Sequence, residues 1–211
     1  MSADINFETM TMDEYKSMKQ FDITFGIVPT KFGQCLIGTH DTKICYMSLF
    51  DEGKDNSAID LLQQDWPNAK LKEDTKTVED LAKSIFSRVE QDSNDSTESA
   101  DSAPEAAADE DKSAEQKPKL NVLLRGTEMQ CKVWKELTKL KEGTTSNYEQ
   151  IAKAVGNPRA IRAVATAISK NKIAYVIPCH RVVRKTGALS KYRWGPERKM
   201  KILECEGVAE Q

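Results

Sequence analysis

The chain has 211 residues, and its 31 Lys and Arg nearly balance its 33 Asp and Glu, so that the formal net charge is -2. The charges are unevenly spread: residues 119–211 hold 19 Lys and Arg against 8 Asp and Glu, a balance of +11, and the remainder therefore carries -13. No apolar run reaches the roughly 20 residues that a membrane helix needs, which excludes a membrane span. A basic half of this size is typical of a surface that binds a polyanion.

The five cysteines are odd in number and scattered, and no apolar signal segment precedes them. This pattern predicts an intracellular protein with reduced thiols. Cys35, His40 and Cys45 are candidate zinc ligands, but Cys35 and Cys45 fall inside predicted strands and a fourth ligand is not evident. We therefore favour packing for these side chains and expect no metal.

The first 91 residues predict a polar tail over 1–20 and a small α+β domain over 21–91. Residues 21–28, 33–38 and 43–50 are rich in β-branched and aromatic side chains, which favours three strands. From Thr77, which we expect to cap a helix, apolar residues recur at helical spacing; they are Val78, Leu81, Ala82, Ile85 and Val89. This domain shows no motif with a recognisable chemistry.

The segment 92–118 has the composition of a disordered acidic insert. Nine acidic residues lie between positions 91 and 116, against Lys112 alone, and the segment holds no aromatic residue. Such a segment buries too little apolar surface to offset its chain entropy.

The C-terminal part, 119–208, begins with a predicted strand over 119–124 and continues with helices. Thr127 and Gln130 form a capping box before a helix that carries Val133, Trp134 and Leu137. A second box, Ser146 with Glu149, predicts a short helix that stops at Gly156. Asn157 as cap and Pro158 in the first turn then predict a third helix to about residue 169. Two helices joined in this way make a helix-turn-helix.

The third helix has two distinct faces. Ile161, Val164, Ala165 and Ile168 share one side by helical spacing, and we expect this side to pack inward. The opposite side carries small residues and arginines, namely Arg159, Arg162, Ala163 and Thr166. Such a face lets a helix enter a narrow groove while the arginines meet phosphates or bases. An ordinary solvated, Ala-rich helix is the alternative reading.

The strongest chemical signal follows an apolar run, 173–177, that we predict to be a strand. At its end stand Pro178, Cys179, His180, Arg181 and Val182. A cysteine beside a histidine and an arginine has an electropositive setting that favours the nucleophilic thiolate. An inert packed cysteine is the alternative, and neighbouring strand residues face opposite ways, so His180 is expected to act on Cys179 only through a water.

The motif Pro178-Cys179-His180-Arg181-Val182 resembles the active-site motif of the O6-alkylguanine-DNA alkyltransferases, the methylated-DNA--protein-cysteine methyltransferases. The likeness extends over residues 120–207, and residues 187–199 are most similar to the C-terminal half of the bacterial adaptive-response protein. The resemblance implies a ribonuclease-H-like N-terminal α+β domain and a winged-helix-like C-terminal domain.

The resemblance also implies roles for single residues. Cys179 corresponds to the alkyl acceptor, and His180 passes its proton through water while it hydrogen-bonds Glu206. Tyr148 corresponds to the tyrosine that donates to the departing guanine. Arg162 corresponds to the arginine that fills the hole left by the flipped base, within a DNA-binding set of Arg159, Arg162, Ala163, Thr166 and Arg184. The pocket would be lined by Asn171, a hinge residue, and by Val182, Tyr192, Arg193 and Trp194.

The implied activity is a single-turnover transfer of a methyl or other small alkyl group from O6-alkylguanine, and from O4-alkylthymine, in double-stranded DNA. The resemblance implies no cofactor and a monomer, and the acidic insert favours a nuclear location, or a cytoplasmic one in a prokaryote. Trp194 stands where many relatives have Gly, which predicts a pocket that disfavours benzyl adducts.

Two alternative functions remain. One is a protein that binds alkylguanine in DNA without reacting with it, but in such proteins the acceptor cysteine is replaced. The other is a helix-turn-helix regulator, which usually dimerises.

Overall fold

A computed structural model of the chain describes residues 4–91, 119–187 and 191–208. The prediction of disorder for 92–118 falls on residues outside these ranges. Within them, the strands are β1 (Asp4–Met10), β2 (Asp22–Thr30), β3 (Gly33–His40), β4 (Lys43–Phe50), β5 (Lys70–Glu73), β6 (Lys119–Arg125), β7 (Ser146–Asn147) and β8 (Val182–Val183). The helices are α1 (Met12–Ser17), α2 (Asp55–Asp65), α3 (Thr75–Gln91), α4 (Glu128–Leu137), α5 (Tyr148–Ala154), α6 (Ile161–Ser169) and α7 (Pro196–Cys205).

The first six of these strands form one mixed sheet in the order β1-β6-β4-β3-β2-β5. The β2-β3-β4 meander is antiparallel, and the remaining pairs, β1-β6, β4-β6 and β2-β5, are parallel. Each face of the sheet buries its own cluster. Side chains of α1 and α2 cover one face, and α3 and the C-terminal helices cover the other.

The predicted polar tail is wrong for residues 4–17, which form β1 and α1. Strand β1 pairs in parallel with β6, from Asp4 opposite Lys119 to Met10 opposite Arg125. A partially exposed edge strand with polar residues gives little sequence signal, and its partner is far away in the chain. Because β6 lies inside the sheet, the predicted boundary at 118/119 does not separate the sheet from the helical part, which begins after β6.

Other boundaries in the N-terminal part also differ from the prediction. Helix α2 and strand β5 were not predicted. Helix α3 begins at Thr75, and the expected cap Thr77 is instead capped, because the Asp74 carboxylate accepts hydrogen bonds from the Thr77 amide and hydroxyl. An Asp at this position offers a better acceptor to the free amides of the first turn than a Thr inside the helix.

The C-terminal helices keep their predicted order with shifted starts. Helix α4 has the predicted Thr127–Gln130 capping box, but α5 is capped by Asn147 with Gln150, one residue after the predicted pair. Helix α6 starts at residue 161, because 158–160 form a turn. Its inward side is Val164, Ala167 and Ile168, and the predicted inward residue Ile161 is 39% exposed.

Candidate active site

Cys179 lies in a 3-10 turn, Cys179–Arg181, and the predicted strand over 173–177 is wrong. Only Ile173 bridges to the sheet, at Met47, and the chain then turns through Tyr175, whose φ is 63°. A positive φ is uncommon for a bulky residue and ends strand pairing at once. The apolar run is therefore a buried turn, which an apolar sequence alone does not distinguish from a buried strand.

The Cys179 thiol is buried and contacts the hinge residue Asn171. The Asn171 Nδ2 lies 3.2 Å from Cys179 Sγ and 3.1 Å from the carbonyl oxygens of both Ile173 and Ile177. Burial raises the pKa of the Cys179 thiol to about 11, although the Asn171 amide and the Lys199 ammonium oppose this shift. The expectation of a resting thiolate is therefore wrong, because desolvation of the anion outweighs the nearby positive charge.

His180, Arg181 and Glu206 form a buried cluster beside this turn. His180 Nε2 lies 2.9 Å from Glu206 Oε1, as the resemblance implies. Arg181 also donates to both oxygens of the same carboxylate, Nε to Oε2 at 2.8 Å and Nη2 to Oε1 at 2.7 Å. Sequence reasoning did not assign this role to Arg181. Burial opposes the ionisation of Glu206, but hydrogen bonds from His180 and Arg181 prevail and lower the pKa of its carboxyl to about 2.

The cluster fixes the protonation of His180. Burial lowers the pKa of the imidazole more than Glu206 raises it, and Arg181 already balances the carboxylate charge. A neutral ring that faces a carboxylate through Nε2 carries its hydrogen there, so this tautomer is assigned from the hydrogen bond. Nδ1 is then a free base, and among the described residues it has no hydrogen-bond partner.

The short parallel pair β7-β8 brings Tyr148 to the cysteine. Asn147 pairs with Val183, and Tyr148 follows as the first residue of α5. Tyr148, Asn171 and Cys179 line one cavity together with Ala165, Ile168, Ser169, Lys191, Tyr192, Arg193 and Trp194. The cavity volume is about 30 Å³, which is enough for one or two waters.

Val182 was predicted to line the pocket, but it is not among the residues that line this cavity; it contacts Lys199 instead. The predicted pocket residue Val182 is buried, and its carbonyl oxygen accepts a hydrogen bond of 2.6 Å from Lys199 Nζ. Lys199 is 1% exposed, and burial lowers the pKa of its ammonium to about 8. Sequence reasoning missed Lys199. The signal was present, because helical spacing puts it on the same side of α7 as the buried Ile202 and Leu203.

The residues predicted to bind DNA lie away from the cavity floor, on the surface. Arg162, Ala163 and Thr166 are exposed on α6, and Arg159 is exposed in the turn before it. Arg184 is exposed after β8. These arginines are thus exposed, whereas Cys179, His180 and Arg181 are buried.

Two further observations concern metals and membranes. Across the described ranges no three His, Cys, Asp or Glu side chains are grouped so that they could hold a metal ion. Cys35 and Cys45 pack into clusters on opposite faces of the sheet. No helix in the described part of the chain has the length and hydropathy needed to cross a bilayer.

Comparison with known proteins places these features in context. Residues 128–208 match the family model described as 6-O-methylguanine DNA methyltransferase, DNA binding domain. The chain is 32% identical over 189 residues to the Bifunctional transcriptional activator/DNA repair enzyme Ada of Escherichia coli, covering 90% of this chain and 47% of that protein. It is 48% identical over 83 residues to the Methylated-DNA--protein-cysteine methyltransferase of Kluyveromyces lactis, covering 39% of this chain and 44% of that protein. The chain thus spans about half the length of these curated relatives.

Solved structures confirm the predicted fold class of a sheet domain followed by a helical domain. The Mycobacterium tuberculosis O6-methylguanine methyltransferase matches with a TM-score of 0.58 and 24% identity, over 87% of this chain and 92% of that chain. The O6-methylguanine-DNA methyltransferase of Pyrococcus kodakaraensis matches with a TM-score of 0.57 and 22% identity, over 88% and 99%. The resemblance inferred from the motif around Cys179 is confirmed, because residues 128–208 match the model of the DNA-binding domain of the 6-O-methylguanine DNA methyltransferases and include this motif.

Proposed function

We propose that the protein repairs DNA by moving an alkyl group from O6-alkylguanine to the sulfur of its own Cys179. The observation that carries this proposal is the placement of a buried cysteine on the wall of a cavity that Tyr148 and Asn171 share. Relatives named methylated-DNA--protein-cysteine methyltransferase support it, because the matched segment includes this cysteine and its neighbours.

The reaction is a displacement at the alkyl carbon. Cys179 Sγ forms a bond to that carbon, the bond from the carbon to guanine O6 breaks, and its electron pair stays with the base. The thiol proton must leave as the sulfur becomes nucleophilic, and Nδ1 of neutral His180 is a base suited to take it through a water. The Tyr148 hydroxyl gives its proton to the ring as negative charge develops there, so that the base leaves as neutral guanine, and the proton held by His180 returns through water to the tyrosinate.

The high pKa of Cys179 has a use in this scheme. A thiol that stays protonated in the resting protein is protected from oxidation and from unspecific alkylation. The sulfur becomes reactive when a base fills the cavity and the proton moves to His180. No described group is suited to cleave the resulting thioether, so we expect a single turnover.

DNA approaches in this proposal along the exposed face of α6. Small side chains at Ala163 and Thr166 let the helix lie close to a groove, and the basic side chains of Arg159 and Arg184 meet phosphates. Arg162 takes the place of the extruded base, which offsets part of the few kcal/mol that unstacking costs. The same pocket is proposed to accept O4-alkylthymine.

The pocket walls are proposed to set the range of alkyl groups. Tyr192 and Trp194 are buried, and their rings meet edge to face with centroids 5.1 Å apart. A bulky wall of this kind leaves room for a methyl group more readily than for a benzyl group. We also propose that the protein acts as a monomer in the nucleus; gel filtration with DNA and fluorescence imaging test these two points.

The stoichiometry of transfer tests the proposed function. The protein is mixed with an excess of duplex DNA that carries O6-methylguanine with a labelled methyl group, and label on the protein is followed with time. A plateau at a single methyl group per chain is expected. Continued turnover beyond one methyl group per chain, or retention of all label in the DNA, would contradict the proposal. The second result would instead favour a binding-only protein or a regulator.

A further inference from the structure

One carboxylate of the sheet domain contacts two cations of the C-terminal half. Asp65 is the last residue of α2, and its Oδ1 lies 2.8 Å from Lys172 Nζ. Its Oδ2 lies 2.7 Å from Arg193 Nη2. The three side chains are between 17% and 30% exposed, so solvent screens these pairs less than it screens pairs on an open surface. We call Asp65, Lys172 and Arg193 the Asp65 clamp.

One of the two cations, Arg193, lines the Cys179 cavity, and the other, Lys172, is the chain neighbour of a residue that lines it. Lys172 directly follows Asn171, whose amide contacts Cys179 Sγ. Arg193 lines the cavity itself and stands in the chain between two aromatic lining residues, Tyr192 and Trp194. Through the clamp, one carboxylate from outside the cavity therefore connects the cysteine side with the aromatic side.

The backbone of Asp65 is itself held in place by the sheet domain. Its backbone carbonyl accepts a hydrogen bond from Arg125 Nη2. The Arg125 guanidinium lies 3.9 Å from a ring centroid of Trp66 and 4.4 Å from that of Tyr15, in the core of the sheet domain. Such stacked, partly buried cations hold their geometry well. The clamp is thus fixed to the sheet rather than to another loop.

We propose that Asp65 is a positioning residue for the alkyl transfer, which sets the width of the Cys179 cavity by holding Lys172 and Arg193. This inference rests on the proposed function. Without the carboxylate, the repulsion between Lys172 and Arg193 is no longer offset, and the two segments that carry them lose their common anchor. The wall that carries Tyr192 and Trp194 then moves away more easily, so that small adducts are held less well and large adducts enter more easily.

The test is the Asp65→Asn variant of the full chain, measured in single-turnover reactions with DNA that carries either O6-methylguanine or O6-benzylguanine. The methyl rate is expected to fall by about fivefold, the effect of roughly 1 kcal/mol. The ratio of the benzyl rate to the methyl rate is expected to rise. A variant that had merely lost folding stability would lower both rates together, so an unchanged ratio overturns the proposal.

Glu8→Gln is the matched control. It removes an ion pair of the same length, 2.7 Å to Lys43, that joins β1 to β4 and makes no contact with the cavity. Both rates and their ratio are expected to equal those of the original chain. Should Asp65→Asn fail to fold, Arg193→Gln removes one of the two ion pairs of the clamp. The ratio of the benzyl rate to the methyl rate is again expected to rise, and an unchanged ratio also overturns the proposal.

The failure of the clamp and the failure of the proposed function give different results. If the original chain transfers no methyl group, the proposed function fails as well. If the original chain transfers a methyl group and Asp65→Asn has the same two rates, only the clamp fails.

Discussion

The Glu206 carboxylate links the stability of the protein to pH. Its pKa of about 2 lies below the ordinary value of 4.5, so its ionised form stabilises the fold fully above pH 4.5. This contribution is lost as the pH falls from 4.5 towards 2. We expect Glu206→Gln to lower the free energy of unfolding by a few kcal/mol at about pH 7 and to flatten its pH dependence in that window. Chemical denaturation at several pH values measures the free energy of unfolding and its pH dependence. If that free energy changed with pH in the same way for the variant and the original chain, the result would contradict the ion cluster.

Trp194 offers a second test at the residue scale. Replacing it with Gly removes a buried ring from the cavity wall, and we expect the rate with benzyl adducts to rise relative to the rate with methyl adducts. Competition between the two adducts in one reaction gives this ratio directly. This ratio is expected to be higher for the Gly variant than for the original chain. Equal ratios would show that the Trp194 ring does not limit the size of adduct that the pocket accepts.

Some residues of the candidate site could be predicted from the sequence, and others could not. Cys179, Tyr148 and Asn171 were identified because a short motif and a resemblance pointed to them, and the structure brings them to one cavity. The contacts of Asp65 and the contact of Arg181 with Glu206 were not predicted, because they depend on partners far away in the chain. Nothing in the local sequence distinguishes an aspartate at the end of a surface helix from one that contacts Lys172 and Arg193.

At the scale of elements, the exposed face of α6 gives a prediction about DNA. Arg162→Ala is expected to slow transfer from duplex DNA by about tenfold or more, since the arginine offsets part of the cost of base extrusion. Transfer from free O6-methylguanosine needs no extrusion and should keep its rate, which makes the nucleoside the control. Rapid-quench measurements with both substrates decide the matter; an equal loss with both would place Arg162 in the fold or in the chemistry instead.

Elements with local signals were predicted well and those with distant partners were not. The Thr127–Gln130 box starts α4 as expected, because capping depends on residues within one turn. Strand β1 was missed and the strand over 173–177 was wrongly predicted. Strand β1 pairs with β6, and the ring of Tyr175 packs against the rings of Phe32 and Phe86, all of which are far away in the chain. Neither cause is visible in the nearby sequence.

At the scale of the whole molecule, charge predicts how binding depends on salt. The +11 balance of residues 119–211 favours the phosphate backbone, and each phosphate contact releases a counterion. The affinity for undamaged duplex DNA is therefore expected to fall steeply as the salt concentration rises. The logarithm of the binding constant should fall linearly with the logarithm of the salt concentration. Titrations at several salt concentrations measure the slope. A slope near zero would remove the electrostatic basis of the proposed DNA surface.

The organisation of the whole molecule was only partly predictable. The sheet domain, the helical domain and their order were expected from patterning and resemblance, and solved structures confirm that fold class. The boundary between them was not, because β6 is separated from the other sheet strands by the acidic segment but lies in the sheet beside β4. A strand that returns to a sheet after a long insertion has a sequence like that of any other strand.

The most direct test is a peptide map of the protein after reaction with DNA that contains O6-methylguanine. The chain provides its own controls, because four further cysteines carry the same chemical group, namely Cys35, Cys45, Cys131 and Cys205. We expect a methyl group on Cys179 alone, and none on any peptide when Cys179→Ser is used. Methylation spread over other cysteines, or loss of the lesion at an undiminished rate with Cys179→Ser, would contradict it.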